Sequence, residues 1–157
     1  MAKRKLELVV AGLIIDESKR ALLVKHKKLN KWLPPGGHIK ENETPDDALH
    51  REIREEVGIE VELLNVVKIP ERGNIKRQLA VPFYVNVHSV GDHDHCCFYY
   101  LCRPKGKSEL KVNESEIEAA RWFSMEEIEK SKEIGEDVKN LVALALEFIK
   151  RQQLPFP

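Results

Sequence analysis

Apolar and polar positions change period several times along the chain, and each change predicts an element. Residues 6–15 form an almost unbroken apolar, β-rich run, with basic residues before it and the polar Asp16-Glu17-Ser18-Lys19 turn after it. This reads as a strand, and residues 21–24 read as the returning strand of a hairpin. Residues 27–31 form a basic loop leading to Trp32, a packing residue rather than a platform for a ring, and then to Pro34-Pro35-Gly36-Gly37. Between Thr44 and Gly58 the period becomes helical, with Leu49, Ile53 and Val57 on one stripe. Thr44 suits the N-cap, Pro45 the first helical position, Asp46 and Asp47 the positive dipole end, and Gly58 the left-handed stop.

Downstream the pattern turns β-like again. Residues 60–69 alternate as a strand, 70–78 are turn-rich, and 79–90 read as a strand with a bend or sheet edge at Pro82. Arg72, Lys76 and Arg77 in the turn-rich stretch read as an exposed basic loop rather than a phosphate site. Residues 96–102 are a buried strand, 105–108 a turn, and 109–113 a short strand or loop. Ser124 caps a helix starting at Met125. Val138, Leu141, Val142, Ala145 and Ile149 make 136–151 an amphipathic closing helix, its stripe core rather than a dimer seam.

The first helix carries the candidate chemistry. Glu52, Glu55 and Glu56 fall at i, i+3 and i+4, within an arc of roughly 100° beside the apolar stripe. Glu56 lies nearest the apolar edge, so its carboxylate should be sheltered. Like charges so placed repel each other, and more strongly when water is excluded. Arg51 can pair with Glu55, but one arginine does not neutralise three glutamates. The natural counter-charge is a hard divalent cation, with Mg²⁺ the default for carboxylates that share it with phosphate oxygens. The competing reading is a solvated charged face; agreement of cap, stop, stripe and preceding glycines argues against it.

Gly37, five residues, Glu43, seven residues, then Arg51-Glu52-Ile53-Arg54-Glu55-Glu56-Val57-Gly58-Ile59 resembles a complete Nudix box. The resemblance implies an α/β fold, an α/β/α sandwich with a mixed, partly antiparallel sheet between helices. It implies hydrolysis of a nucleoside diphosphate linked to another moiety, with Mg²⁺ or in its place Mn²⁺. It also implies that Gly37 brings its carbonyl near the metal beside Glu52, Glu55 and Glu56. Glu43 is expected to anchor the loop, through Arg51, and Arg51 completes the candidate catalytic set. The order of acidic loop, Arg121-Trp122-Phe123 and capped helix is similar to the corresponding region of many Nudix hydrolases. There a glutamate six residues before the tryptophan approaches the metals, which points to Glu116; a solvated loop acid is the alternative. The cation would offset phosphate repulsion and acidify the attacking water, and Glu52 or Glu116 would take the proton.

Composition narrows the class without changing it. The chain has 157 residues, with 26 Lys+Arg against 26 Asp+Glu. That is about one domain, 1–157, with no net field drawing it to nucleic acid or an anionic membrane. No apolar run reaches membrane-spanning length and no leader pattern opens the chain. Three cysteines, an odd number, argue against a disulfide framework and point to a reduced cytoplasm. His93, His95 and Cys97 would share one face of an extended segment and invite a zinc reading. Their spacing matches neither C-x₂₋₄-C nor H-x₃₋₅-H, so a buried strand is preferred over zinc, and a histidine that instead lines the substrate pocket is the other alternative. His38 reads as a surface histidine. The expected partner is a small nucleotide, with the chain a monomer or homodimer. A non-catalytic nucleotide-sensing or protein-binding module should have lost box acids, and none is lost. A prenyl diphosphate isomerase on the same scaffold needs a catalytic cysteine for which no suitable position is found.

Overall fold

The computed structural model describes residues 3–107 and 109–152. β1 (Leu6–Ile14) explains why the first apolar run does not alternate. It runs parallel to β7 (His93–Pro104), from Leu6 opposite Asp94 to Ile14 opposite Cys102, and antiparallel to β4 (Gly36–His38). A strand flanked on both edges and covered on both faces must be apolar on both. Val9, Ala11 and Leu13 enter one core, with Cys97, Leu101 and the C-terminal helix residues Val138 and Val142. Val10 and Ile14 enter the other, with Leu49, Ile53 and Val57.

The sheet is mixed. β7 also pairs antiparallel with β5 (Val61–Leu63) and β6 (Tyr84–Val90), completing five strands. A second, antiparallel sheet has the order β3 (Trp32–Leu33), β2 (Ala21–His26), β8 (Ile117–Phe123). α1 (Pro45–Val57) covers one side; α2 (Met125–Lys130) and α3 (Glu136–Gln152) contribute to the core on the other. The expected α/β/α arrangement with a partly antiparallel sheet is present. No helix among the described residues is long and apolar enough to cross a membrane.

Several expectations need correction. The hairpin of the first two strands is a single bridge, Ile15 to Ala21, beyond which β1 and β2 diverge into different sheets. Both edges of β1 are already occupied by β4 and β7, so β2 has no partner there and pairs with β8 instead. The strand expected over 60–69 is only Val61–Leu63, opposite Cys102 to Pro104, because β6 takes the next part of that edge of β7. Asn65, at φ 39°, then turns the chain away. The strand expected over 79–90 starts at Tyr84, after Pro82 and a single ladder-like bond from Phe83 N to Tyr99 O. Ser108, the last residue of the expected turn at 105–108, lies outside the described residues.

The helices follow the local signals. Thr44 accepts from Asp47 N, Pro45 opens α1, and Gly58 closes it at φ 69°. Ser124 and Glu127 form a reciprocal capping box on α2. Val138, Leu141, Val142 and Ala145 of α3 are buried core, as the stripe suggested. Trp32 is a packing residue, edge-on to Phe123 with ring centroids 5.0 Å apart and its indole N–H donating to Glu133.

Candidate active site

α1 lies directly over β1, where glycine permits the approach. A Cβ on Gly12 would stand 3.1 Å from Ile53 Cδ1. Burial of Leu49, Ile53 and Val57 against this strand fixes the rotation of the helix, and with it the direction of the glutamates. β4 then brings the two loop glycines beside them. A Cβ on Gly37 would sit 2.4 Å from the carboxyl carbon of Glu52, and one on Gly36 would sit 2.0 Å from Val10 O. Gly37 therefore leaves the space that Glu52 fills, while Gly36 lets β4 lie against β1.

Arg51 ties loop to helix. Its guanidinium donates to both oxygens of Glu43 (2.7 and 3.0 Å), to Glu52 Oε1 (2.8 Å), to Glu55 Oε2 (3.3 Å) and to the carbonyl of His38 (3.0 Å). Glu43 is held by this fork, and by Lys40 N, to about 2, well below the usual carboxylate range. The expected loop anchor is present. Arg51 positions the carboxylates.

The three glutamates have different surroundings. Glu55 keeps 52% of its side chain exposed, whereas Glu56 is 2% exposed and is the buried charged residue of the core. Burial pushes Glu56 up to about 8, with further upward pressure from Glu52, Glu116 and Glu55, opposed by the N–H of Gly36. Glu52 is raised by burial too, against the pull of Arg51. Glu56 Oε2 is buried with no hydrogen-bond partner. Such an orphaned oxygen among like charges fits a hard divalent cation as the missing partner.

The structure brings Gly37, Arg51, Glu52, Glu55 and Glu56 together. Glu116, on the exposed loop before β8, stands near enough to raise both Glu52 and Glu56 by repulsion. His26, at the end of β2, was not foreseen: its Nε2 is 3.9 Å from Glu56 Oε1 and its Nδ1 is buried without a partner. No local signal marked it, because a histidine beside a basic loop looks like any surface residue. Arg77, in the loop after β5, is engaged by Asp47 and Thr44 at the start of α1, so it docks the loop there.

A glycine strand facing a helix with clustered, partly buried carboxylates, on a split mixed sheet between helices, defines the class of fold and site. The chain belongs to the NUDIX domain family, whose model matches residues 5–145. A NUDIX family hydrolase from Clostridium perfringens superposes with a TM-score of 0.81 at 29% identity, covering 94% of this chain and 99% of that one. A MutT-like protein from Streptomyces ambofaciens is 29% identical over 122 residues, which is 76% of this chain and 64% of that protein. An 8-oxo-dGTP diphosphatase from Proteus vulgaris is 30% identical over 89 residues, 54% of this chain and 79% of that protein. The chain thus spans just under two thirds of the Streptomyces relative.

Proposed function

We propose that this chain hydrolyses the diphosphate bond of a nucleoside diphosphate linked to another moiety, by water attack at phosphorus, with Mg²⁺ or Mn²⁺. The observation that carries the reading is Glu56, buried with an unpartnered oxygen, pressed by Glu52, Glu55 and Glu116. Glu52, Glu55, Glu56 and the carbonyl of Gly37 would hold the cation, with Glu116 joining from the opposite loop. When bound, the cation supplies charge neutralisation for the phosphates and acidifies the attacking water.

The chain's own residues do the rest. Arg51 keeps Glu52 against Gly37 and the loop closed through Glu43. The proton of the attacking water goes to Glu52 or Glu116; Glu52 is the more sheltered, and its upward shift brings it nearer the pH at which a base is effective. The products are a nucleoside monophosphate and a phosphorylated remainder.

The test is a panel of nucleotide sugars, dinucleotides, other nucleoside diphosphate derivatives and nucleoside triphosphates, assayed with and without Mg²⁺ and scored by product identity. Oxidised purine nucleotides come first, given the similarity to an 8-oxo-dGTP diphosphatase. Cation-dependent cleavage of one class is expected, with Glu56→Gln folding normally and losing about 100-fold or more in kcat. Wild-type-like kcat in that variant at saturating Mg²⁺ would refute the assignment. Tight binding with no product would make the chain a nucleotide-sensing module instead.

A further inference from the structure

We propose that Glu7, His38, His93 and His95 form a second metal site, built for a borderline transition metal such as Zn²⁺, on the sheet face opposite α1. The site owes nothing to the glutamates of the helix.

The placement follows from strand alternation. Glu7 and Val9 point to the same side of β1, and Val9 lies in the core shared with α3, while Val10 faces α1. His95 is paired with Glu7 and His38 with Val9, so both histidines join that side from the flanking strands. His93 follows at the same alternation on β7. Four ligand groups from three adjacent strands therefore meet on one face.

The distances suit a metal. Glu7 Oε2 is 2.6 Å from His38 Nε2, 3.3 Å from His93 Nε2 and 3.6 Å from His95 Nε2. His93 Nε2 and His95 Nε2 are 3.1 Å apart. Tetrahedral zinc with ligands at about 2.0–2.1 Å has ligand–ligand edges of about 3.4 Å. Glu7, His38 and His95 each place one ligand atom within 4.8 Å of the others, and His93 adjoins this trio through Glu7 and His95. Glu7 Oε1 is separately engaged by Lys5, which leaves Oε2 turned to the imidazoles.

A second observation concerns His93. Its Nδ1 lies 2.8 Å from Asp92 Oδ1. An ionised carboxylate only accepts, so Nδ1 carries a proton, and Nε2, which faces Glu7 and His95, is the nitrogen left to take a metal. A carboxylate behind a histidine is how metal-binding imidazoles are commonly oriented. His93 and His95 keep 26% and 17% of their side chains exposed and His38 keeps 57%, so the site has a sheltered floor and an open rim.

Donor chemistry separates the two sites. Three imidazoles with one carboxylate favour Zn²⁺ and its neighbours in softness, whereas Mg²⁺ takes oxygen ligands. The bound ion would staple β4 to β1 and β7. The arrangement also explains why residue spacing argued against zinc. Cys97, the third ligand that local sequence offers, is 3% exposed within the core, and the missing ligands come from β1 and β4 instead.

The test uses the full chain, stripped with a chelator and held in millimolar Mg²⁺ to fill the carboxylate site. Zn²⁺ is titrated by calorimetry, and Co²⁺ is followed by its visible spectrum, which reports coordination number. One tightly bound Zn²⁺ per chain is expected, with a four-coordinate Co²⁺ spectrum and a raised Tm. The double variant His93→Ala with His95→Ala should weaken zinc by about 100-fold or more, and Asp92→Asn by about tenfold. Glu56→Gln should leave zinc affinity within about twofold of wild type. If the double variant misfolds by circular dichroism, Glu7→Gln and Asp92→Asn decide the matter. Absence of Zn²⁺ binding in the folded wild type, retention in the folded variants, or loss in Glu56→Gln would overturn the proposal. None of these readouts depends on catalysis.

Discussion

Glu56 holds a carboxylic acid where a carboxylate could not easily stay, so its charge depends on what else enters the site. Its pKa rises from the ordinary glutamate value of 4.5 to about 8 on folding, chiefly by burial. Between those values the cation-free folded chain keeps a proton that the unfolded chain has released. Its contribution to stability is therefore complete below the unfolded value and is lost as pH rises through about 8. Chelator-treated wild type should lose Tm relative to Glu56→Gln as pH is taken from about 5 to about 8.5. Thermal melts of the two proteins across that range provide the check, and parallel curves would show that Glu56 ionises freely. Arg51 makes the complementary case. Lysine keeps its charge but cannot fork onto both oxygens of Glu43 while reaching Glu52 and the His38 carbonyl. Arg51→Lys should cost about 1–3 kcal/mol in denaturant unfolding, and kcat should fall as Glu52 loses its support.

At the scale of elements, the two loop glycines are adjacent but have different reasons to lack a side chain. A Cβ on Gly37 meets the end of the flexible Glu52 side chain, whereas a Cβ on Gly36 meets the backbone of Val10 and Ala11. Gly37→Ala should leave Tm close to wild type while displacing Glu52 and lowering kcat. Gly36→Ala should prise β4 from β1 and destabilise by about 3 kcal/mol. Unfolding curves and steady-state rates on the same pair separate the two effects, and equal stability losses would contradict the assignment. The contrast also shows what sequence reasoning reaches. α1 was legible from end to end because Thr44, Pro45, the apolar stripe and Gly58 are local signals that agree. The β1–β2 hairpin was misread because partner choice depends on which edges are free, and β4 and β7 had taken those of β1. Strand lengths failed over 60–69 and 79–90 for the same reason, since β5 and β6 divide one edge of β7.

The whole molecule adds what neither residue nor element shows: the carboxylate site spans the junction of the two sheets. α1 and Gly37 come with the mixed sheet, while His26 and Glu116 come with the strands of the antiparallel one. His26 was invisible in the sequence because the split between sheets was. A cation held from both sides would fasten this junction, so its binding should register in global stability. At about 100 times its dissociation constant, a ligand specific to the folded state adds about 2.7 kcal/mol. For a chain of this size that is a Tm rise of about 5–10 °C. The rise should grow between pH 6 and pH 8, roughly, because Glu56 must give up its proton to bind the ion. Glu56→Gln should remove most of the shift, and Glu116→Gln should remove a smaller part if that loop reaches the ion. Equal Mg²⁺ shifts in Glu116→Gln and wild type would place Glu116 outside the cation site.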